Sequence, residues 1–458
     1  MKRISRRMVF LIVLMAVLAV GLVIFAAQYA IHAGEWVTFS GSPHVYAGAN
    51  LSAGQVTDRN GVLLLDSTDG RSYAEDAALR KSTMHLLGDR YGYISAPVLG
   101  AYADEMVGFS PVNGLYGVQE QGNTAMLTVS AQAQKTAQEA LAGRKGTIGV
   151  YNYKTGEILC AVTAPTYDPD HMPDVENDVT GAYDGVYLNR FFQTTYVPGS
   201  IFKVLTAAAA LETLEDADTM TFSCNGSCEI GGETINCNGV HGTVTLEQAL
   251  GHSCNVAFGQ LAVQLGPETL TAYAERFGIT SSLSFDGLTT AAGSFDLEGA
   301  AESQIAWSGI GQYTDLINAC QYLTAMGAIA NGGAAAKPYL MKKVGDSLLT
   351  GYSAKTEMLE PMIGEAVSDK LAEMMHLAVL ERYGAWLFPD LYVCAKSGTA
   401  ELGVNQTPHA TFSGFIRDDE YPLAFIVIVE HGGSGSATCA PIAGQVLSAC
   451  VEAMKTEH

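Results

Sequence analysis

The chain has 458 residues, enough for two or three structural units. Its 48% hydrophobic and 16% charged content excludes a disordered chain, because that much apolar surface offsets the entropy of ordering. Lys and Arg number 25 against 47 Asp and Glu, and the resulting charge of −22 repels a phosphate backbone and excludes nucleic acid as the main partner.

Lys2, Arg3, Arg6 and Arg7 precede the first acid, Glu35, so the rest of the chain holds 21 basic and 47 acidic residues, a balance of −26. Met8 to Gly34 carries no formal charge, and Met8 to Ala27 is almost wholly apolar, about the 20 residues a helix needs to cross a bilayer. Residues 1–34 are therefore expected to form a cytoplasmic tail and a single transmembrane anchor in the cell membrane. By the positive-inside rule everything after residue 35 lies outside. Phe25-Ala26-Ala27 faintly resembles a cleavage site, but the apolar run exceeds the roughly 7 to 15 residues of a signal-peptide core, which favours an uncleaved anchor.

Residues 35–124 are rich in Gly, Ser, Tyr and Asp, lack long helical periodicity, and read as a small extended module. A main unit, 125–458, opens with a short strand at Ala125 to Val129 and a helix at Ala131 to Leu141. Thr147 to Tyr153 and Ile158 to Thr163 read as strands of a hairpin turning at Lys154-Thr155-Gly156-Glu157. Ala-rich helical segments follow at Lys203 to Glu212, Leu246 to Leu265 and Leu316 to Ala330. Leu391 to Ala395, Ala410 to Ile416 and Pro422 to Glu430 return to strand pattern, and Pro441 to Met454 reads as a closing helix. Strands at both ends with helices between them predict an α/β (α+β) fold: one sheet completed by distant segments, with an inserted helical subdomain.

Nine cysteines is an odd number, so at least one cannot be paired within the chain. Cys224, Cys228, Cys237 and His241 form a C-x3-C-x8-C-x3-H run whose separations match no common zinc pattern. A short disulfide such as Cys224 to Cys237 is the simpler expectation in an exported chain, and no metal is expected.

Three short motifs carry chemistry. Pro198-Gly199-Ser200-Ile201-Phe202-Lys203 ends a loop and starts a helix, and Ser200 is the only serine followed by Lys at that distance. Three residues apart, Ser200 and Lys203 share a face near the positive helix end, where a neutral lysine can take the serine proton. Isolated S-x-x-K is usually an ordinary helix start. Ser253-Cys254-Asn255 can aim a hydroxyl and an amide into one cleft only if the Leu246 to Leu265 helix is interrupted there. Ser223-Cys224-Asn225 has the same letters but lies in a Gly and Cys loop and reads as turn chemistry. In Lys396-Ser397-Gly398-Thr399, Gly398 on an edge strand permits close approach of a substrate backbone, and Lys396, Ser397 and Thr399 suit a carboxylate. In the order S-x-x-K, S-x-N, K-S-G the three form the signature of penicillin-interacting serine enzymes.

With these motifs the chain resembles the class B, monofunctional penicillin-binding proteins, the peptidoglycan D,D-transpeptidases. Asp58-Arg59-Asn60-Gly61, Thr155-Gly156-Glu157-Ile158-Leu159, Tyr167-Asp168-Pro169, Asn189-Arg190, Gly309-Ile310-Gly311-Gln312, Ala330-Asn331-Gly332-Gly333 and Ala440-Pro441-Ile442-Ala443 follow in the family's order, so the resemblance runs from about residue 51 to 450. Departures are Ala53 for an Arg, Ser397 for the commoner Thr, Asp315 where Pro is usual, and Thr411 where Trp is frequent.

The resemblance implies a penicillin-binding transpeptidase fold and a serine acyl transfer. Ser200 attacks a D-Ala-D-Ala stem, Lys203 is the base, and Ser253 relays a proton to the leaving amine. Asn255 holds the peptide amide, while Lys396, Ser397 and Thr399 bind the carboxylate. The backbone N–H groups of Ser200 and Thr399 form the oxyanion hole, a donor typically worth about 2.7 to 4 kcal/mol. β-Lactams imitate the substrate, no cofactor is implied, and the implied partner is a multi-span glycosyltransferase of the cell-wall machinery. Three rivals remain at this point: a D,D-carboxypeptidase or β-lactamase-like hydrolase, a bifunctional enzyme with its own glycosyltransferase, and a catalytically idle scaffold or β-lactam sensor. The roughly 90 residues between the anchor and the main unit fall below the usual size of a catalytic domain and exclude the bifunctional enzyme.

Overall fold

The structure, a computed structural model, describes residues 2–39, 41–43, 45–48, 50–110, 114–115, 122–345, 351–403 and 405–456. Parts of the expected 35–124 module, including 111–113 and 116–121, therefore lie outside the described residues.

The larger unit is built on a five-stranded antiparallel sheet whose spatial order is Val393–Ala400, His409–Ile416, Leu423–Val429, Gly146–Asn152, Ile158–Ala164. Two N-terminal and three C-terminal strands thus complete one sheet, as the sequence pattern predicts. Every residue of Leu423–Val429, Gly146–Asn152 and Ile158–Ala164 is buried, so these strands read as apolar runs rather than alternating ones. Helices Ala131–Leu141 and Gly435–Lys455 pack on one face; Ala319–Ala330 covers the other. The remaining helices between the two strand groups, chiefly Lys203–Thr213, Leu246–His252, Asn255–Arg276, Glu302–Gly309 and Glu365–Ala378, form the inserted helical region.

The Ala131–Leu141 helix has the bounds its sequence suggests because Ser130 caps it, its side chain accepting from Ala133 N. The Leu246 to Leu265 pattern is broken at one place: Leu246–His252 ends, Ser253 takes left-handed φ of 57°, and Asn255–Arg276 begins. The small module is less extended than its composition suggests. Asp76 caps a helix at Ala77–Leu87 whose buried positions include Arg80, Ser82, Thr83 and His85, and these polar residues mask its apolar period. The strand Thr124–Leu127 pairs in parallel with Gln55–Thr57, so a second, six-stranded sheet runs across residue 125.

Polar ties lock the module to the sheet. Asp58 accepts from Asn60 N, Val62 N and Ala131 N at 2.8, 2.8 and 2.9 Å, and Arg59 pairs with Glu157 at 3.3 Å. Arg80 forks onto Asp168 at 2.8 and 2.6 Å with both side chains about 10% exposed.

At the N-terminus a single helix, Lys2–Val37, stands apart: no residue of its most apolar stretch is buried. Its last turn is docked, with Ala33 buried and Gly34 so close that a Cβ there would meet Asp104 at 2.9 Å. Gly435–Lys455 is also long and apolar enough to span a membrane, but half of its apolar window is buried against the sheet.

The Arg80 guanidinium, through its hydrogen bonds, holds the Asp168 carboxyl well below the usual carboxylate range. A depressed folded pKa means this stabilisation is present at neutral pH and is lost as the pH falls. Arg80→Met strands a buried carboxylate and is expected to cost about 3–5 kcal/mol, read as a lower unfolding temperature of the detergent-purified chain at pH 7 and a smaller deficit at acid pH. An unchanged unfolding temperature at pH 7 contradicts this assignment.

Candidate active site

Pro198 leads into a single 3-10 turn, Gly199–Phe202, that runs directly into Lys203–Thr213. In a 3-10 turn side chains three apart eclipse, which stacks Lys203 over Ser200. Lys203 Nζ lies 3.0 Å from Ser200 Oγ, 2.7 Å from Asn255 Oδ1, 2.8 Å from Ser253 O and 3.3 Å from Ser253 Oγ. The interruption at Ser253 supplies these acceptors: the left-handed residue folds its carbonyl and hydroxyl toward the lysine, and Cys254 caps the new helix so that Asn255 sits in its first turn.

Across the cleft, the edge strand Val393–Ala400 brings Lys396 Nζ to 2.9 Å from Ser253 Oγ and 2.8 Å from Ser397 O. Ser253 thus bridges the two lysines. Both are fully buried. Burial, reinforced by the Lys396 charge, holds the Lys203 pKa well below the ordinary lysine value, and burial alone pushes Lys396 down to about 7. A neutral amine has two N–H donors and one lone pair. The two shortest contacts, to Asn255 Oδ1 and Ser253 O, accept the two protons and leave the lone pair facing the Ser200 hydroxyl. Such an amine is a general base for that hydroxyl.

The cleft holds about 320 Å³ and is lined by Ser200, Ser253, Asn255, Ser397, Thr399 and Glu401, among others. A larger hollow of about 460 Å³ lies beside Asp58, Lys135 and Glu452, but its walls contain no nucleophile and base in contact.

All the residues singled out in the three motifs meet here, and two details add to the expectation. Gly398 is required by the protein itself, since a Cβ there would lie 2.2 Å from Thr411 Oγ1 and 3.0 Å from Pro198 O. Thr411 donates to Pro198 O at 3.3 Å, so the strand and the serine turn are in direct contact. Asn255 is already engaged at both ends, accepting from Lys203 and donating to Asn236 O at 2.9 Å; its oxygen keeps a second lone pair for a substrate amide. Ser223 lies in a separate two-stranded ladder, Thr221–Cys224 with Gly242–Thr245, and does not line the cleft. Asp315 is buried, and burial pushes its carboxyl pKa well up.

Tyr383 was not singled out by the sequence. Its hydroxyl lies 3.4 Å from Lys396 Nζ and accepts from Ser397 N at 3.3 Å, making it a positioning residue for the carboxylate side of the cleft. The one clue was an aromatic in Glu381-Arg382-Tyr383-Gly384, at the end of a helix the sequence reading passed over.

All nine cysteines are free thiols, so the expected Cys224 to Cys237 disulfide is absent.

Comparison with known proteins agrees with this geometry. A curated relative, the peptidoglycan D,D-transpeptidase PbpA of Mycolicibacterium smegmatis, is 29% identical over 420 residues, 84% of this chain and 80% of that protein. Stage V sporulation protein D of Bacillus subtilis is 28% identical over 72% of this chain and 54% of its own length. Penicillin-binding protein A of Mycobacterium tuberculosis, solved as a ceftriaxone acyl-enzyme, superposes with a TM-score of 0.76 at 25% identity, covering 87% of this chain and 98% of that one. The same protein as a penicillin G acyl-enzyme gives a TM-score of 0.74 at 26% identity, over 87% of this chain and 99% of that one. The family model for the penicillin binding protein transpeptidase domain matches residues 146–448, which include the serine turn, the interrupted helix and the edge strand, and the chain belongs to that family.

Proposed function

We propose that the chain is a peptidoglycan D,D-transpeptidase, a serine acyl-transferase that cross-links stem peptides and is trapped covalently by β-lactams. The observation that carries this reading is the buried Lys203 amine 3.0 Å from Ser200 Oγ, with Asn255 Oδ1 and Ser253 O still closer at 2.7 and 2.8 Å as acceptors for its protons. The names of the relatives and the β-lactam acyl-enzyme neighbours support it.

Ser200 Oγ attacks the carbonyl of the penultimate D-Ala while its proton passes to Lys203 Nζ. Ser253, in contact with both lysines, returns a proton to the leaving D-Ala amine. The backbone N–H groups of Ser200 and Thr399 face the developing oxyanion, and Asn255 receives the stem amide. Lys396, Ser397 and Thr399 receive the terminal carboxylate. The amine of a second stem then displaces Ser200 and closes the cross-link. Residues 1–34 serve as tail and anchor, 35–124 as a non-catalytic module, and 125–458 as the transpeptidase domain.

Benzylpenicillin should form an adduct located on Ser200 by mass spectrometry and absent from Ser200→Ala. With polymerised pentapeptide glycan, cross-linked dimers should form in equal number to the D-Ala released. D-Ala released without dimers would make the chain a carboxypeptidase, and an unacylated Ser200 would make it a scaffold.

The lysines differ in task. Lys203→Arg places a permanent cation there and is a poor base, so acylation should fall by orders of magnitude at every pH. The second-order acylation constant reports free-enzyme groups, and Lys396 loses its proton as the pH rises through about 7, so the wild-type constant should decline on the alkaline side. Lys396→Arg stays charged, should abolish that decline, and should cost less than about tenfold at neutral pH. Equal losses in the two variants, or an alkaline decline that survives in Lys396→Arg, contradict this division.

The reading extends to topology and partner. Four basic residues before the apolar run and a balance of −26 after it favour a catalytic domain on the wall side of the membrane. A tether raises the concentration of the enzyme beside a multi-span glycosyltransferase that polymerises lipid-linked precursor. Exchange of residues 1–34 for an unrelated span should preserve penicillin labelling and weaken co-purification of that polymerase. Co-purification unchanged after replacement of both the span and 35–124 would end the partner assignment.

A further inference from the structure

Beside the Ser253 turn, four side chains from three segments converge. Cys224 ends the strand Thr221–Cys224, Cys237 and His241 lie in the loop before Gly242–Thr245, and Cys254 caps the Asn255–Arg276 helix. Their sulfur and nitrogen atoms all lie within 4.8 Å of one another. Cys237 Sγ is 3.8 Å from Cys254 Sγ and 3.6 Å from His241 Nδ1. Zinc bonds of about 2.3 Å to sulfur and about 2.0–2.1 Å to nitrogen give a tetrahedron with S–S edges of about 3.8 Å and S–N edges of about 3.5 Å. Two edges therefore already have the length a zinc ion imposes. Backbone N–H groups face the sulfurs: Asn255 N donates to Cys237 Sγ at 3.2 Å and Ala257 N to Cys254 Sγ at 3.4 Å, the outer contacts that hold thiolate ligands in place.

Residues 221–245 form two separate two-stranded ladders that pack Phe222, Ile235 and Val244 onto the neighbouring helices but leave most other positions exposed or half-buried, and ladders this small add little stability of their own. No disulfide ties them.

We propose that Cys224, Cys237, His241 and Cys254 bind one zinc ion, which fixes the hairpin pair to the Ser253-Cys254-Asn255 turn and so positions the proton relay and the Lys203 acceptors. Three thiols give up their protons to solvent as three Zn–S bonds and one Zn–N bond form, with no change of oxidation state. Four protein ligands of this softness leave no open position, which makes the site structural rather than catalytic and suits zinc over magnesium or calcium. The absence of metal expected from the sequence is thereby replaced. The C-x3-C-x8-C-x3-H run misleads because Cys228 stands outside the cluster, and the fourth ligand is the middle residue of the S-x-N motif.

The metal content is measured independently of any reaction, so this proposal and the transpeptidase assignment fail separately. The full chain, purified in detergent without added metal, should contain one zinc per chain by elemental analysis. Growth with cobalt should give the visible absorption bands of a tetrahedral thiolate site. Cys237→Ser and His241→Ala should weaken zinc binding at least tenfold, and His241→Cys should restore it. Chelator-stripped protein should acylate with benzylpenicillin at least tenfold more slowly and recover on addition of zinc chloride. Wild-type protein with no metal and all its thiols alkylated, or with a disulfide among Cys224, Cys237 and Cys254, overturns the site. Stripped protein that acylates at the full rate overturns the positioning role.

Discussion

An amine sealed away from water must either lose its proton or find acceptors for it, because the desolvated ammonium costs several kcal/mol. Lys203 does both. It is completely buried, and every acceptor it has, apart from Ser200, comes from Ser253 and Asn255. The cleft is organised by that requirement. If the turn at Ser253 moved away, the amine would lose two acceptors at once, and its lone pair would no longer be held toward the nucleophile. The left-handed backbone of Ser253, unusual for a residue with a side chain, is retained at the place where its carbonyl and hydroxyl are both needed.

The sheet and its helices bring three segments far apart in the sequence to this point. Lys396 reaches Ser253 because Val393–Ala400 is the edge of the sheet, with the other side of the strand open to the cleft. The serine turn leans on the same strand: Gly199 takes a φ of 59°, and a Cβ there would strike Thr399 O at 2.9 Å. Gly199 N in turn donates to Gly311 O at 2.9 Å, which ties the turn to the helical region beneath it. Backbone contacts on both sides leave Ser200 little freedom to drift.

Much of this was legible in the sequence because short-range chemistry and burial agreed. The hairpin strands, the Ala131–Leu141 helix and the closing helix each combine a clear pattern with a local stop or cap. The three motifs were found by spacing alone, and the interruption at Ser253 was inferred because an unbroken helix cannot aim both Ser253 and Asn255 at one cleft. What escaped was fixed by contacts between distant segments. The Ala77–Leu87 helix buries Arg80 and His85 against partners near residues 168 and 186, so its buried face does not look apolar. Tyr383 acquires its role only when its helix end docks beside Lys396. Gly398 was expected to admit a substrate backbone, and only the fold shows that it also sits close against Thr411 and Pro198. Cys254 was seen as the unremarked letter of a motif, and only the fold places it beside Cys237.

The N-terminal helix has a mechanical consequence. Its 36 residues rise about 54 Å at 1.5 Å per residue, while the apolar run from Met8 to Ala27 needs only about 30 Å to cross the hydrocarbon layer. The ten residues from Gln28 to Val37 continue as helix for about 15 Å more and then dock through Ala33 and Gly34 onto the Ala103–Val107 helix. The catalytic cleft is thus carried on a stiff post rather than a slack leash. With the wall-side topology proposed above, such a post would set the cleft at one height, so that glycan strands in a thin stratum above the lipid surface would come within its range.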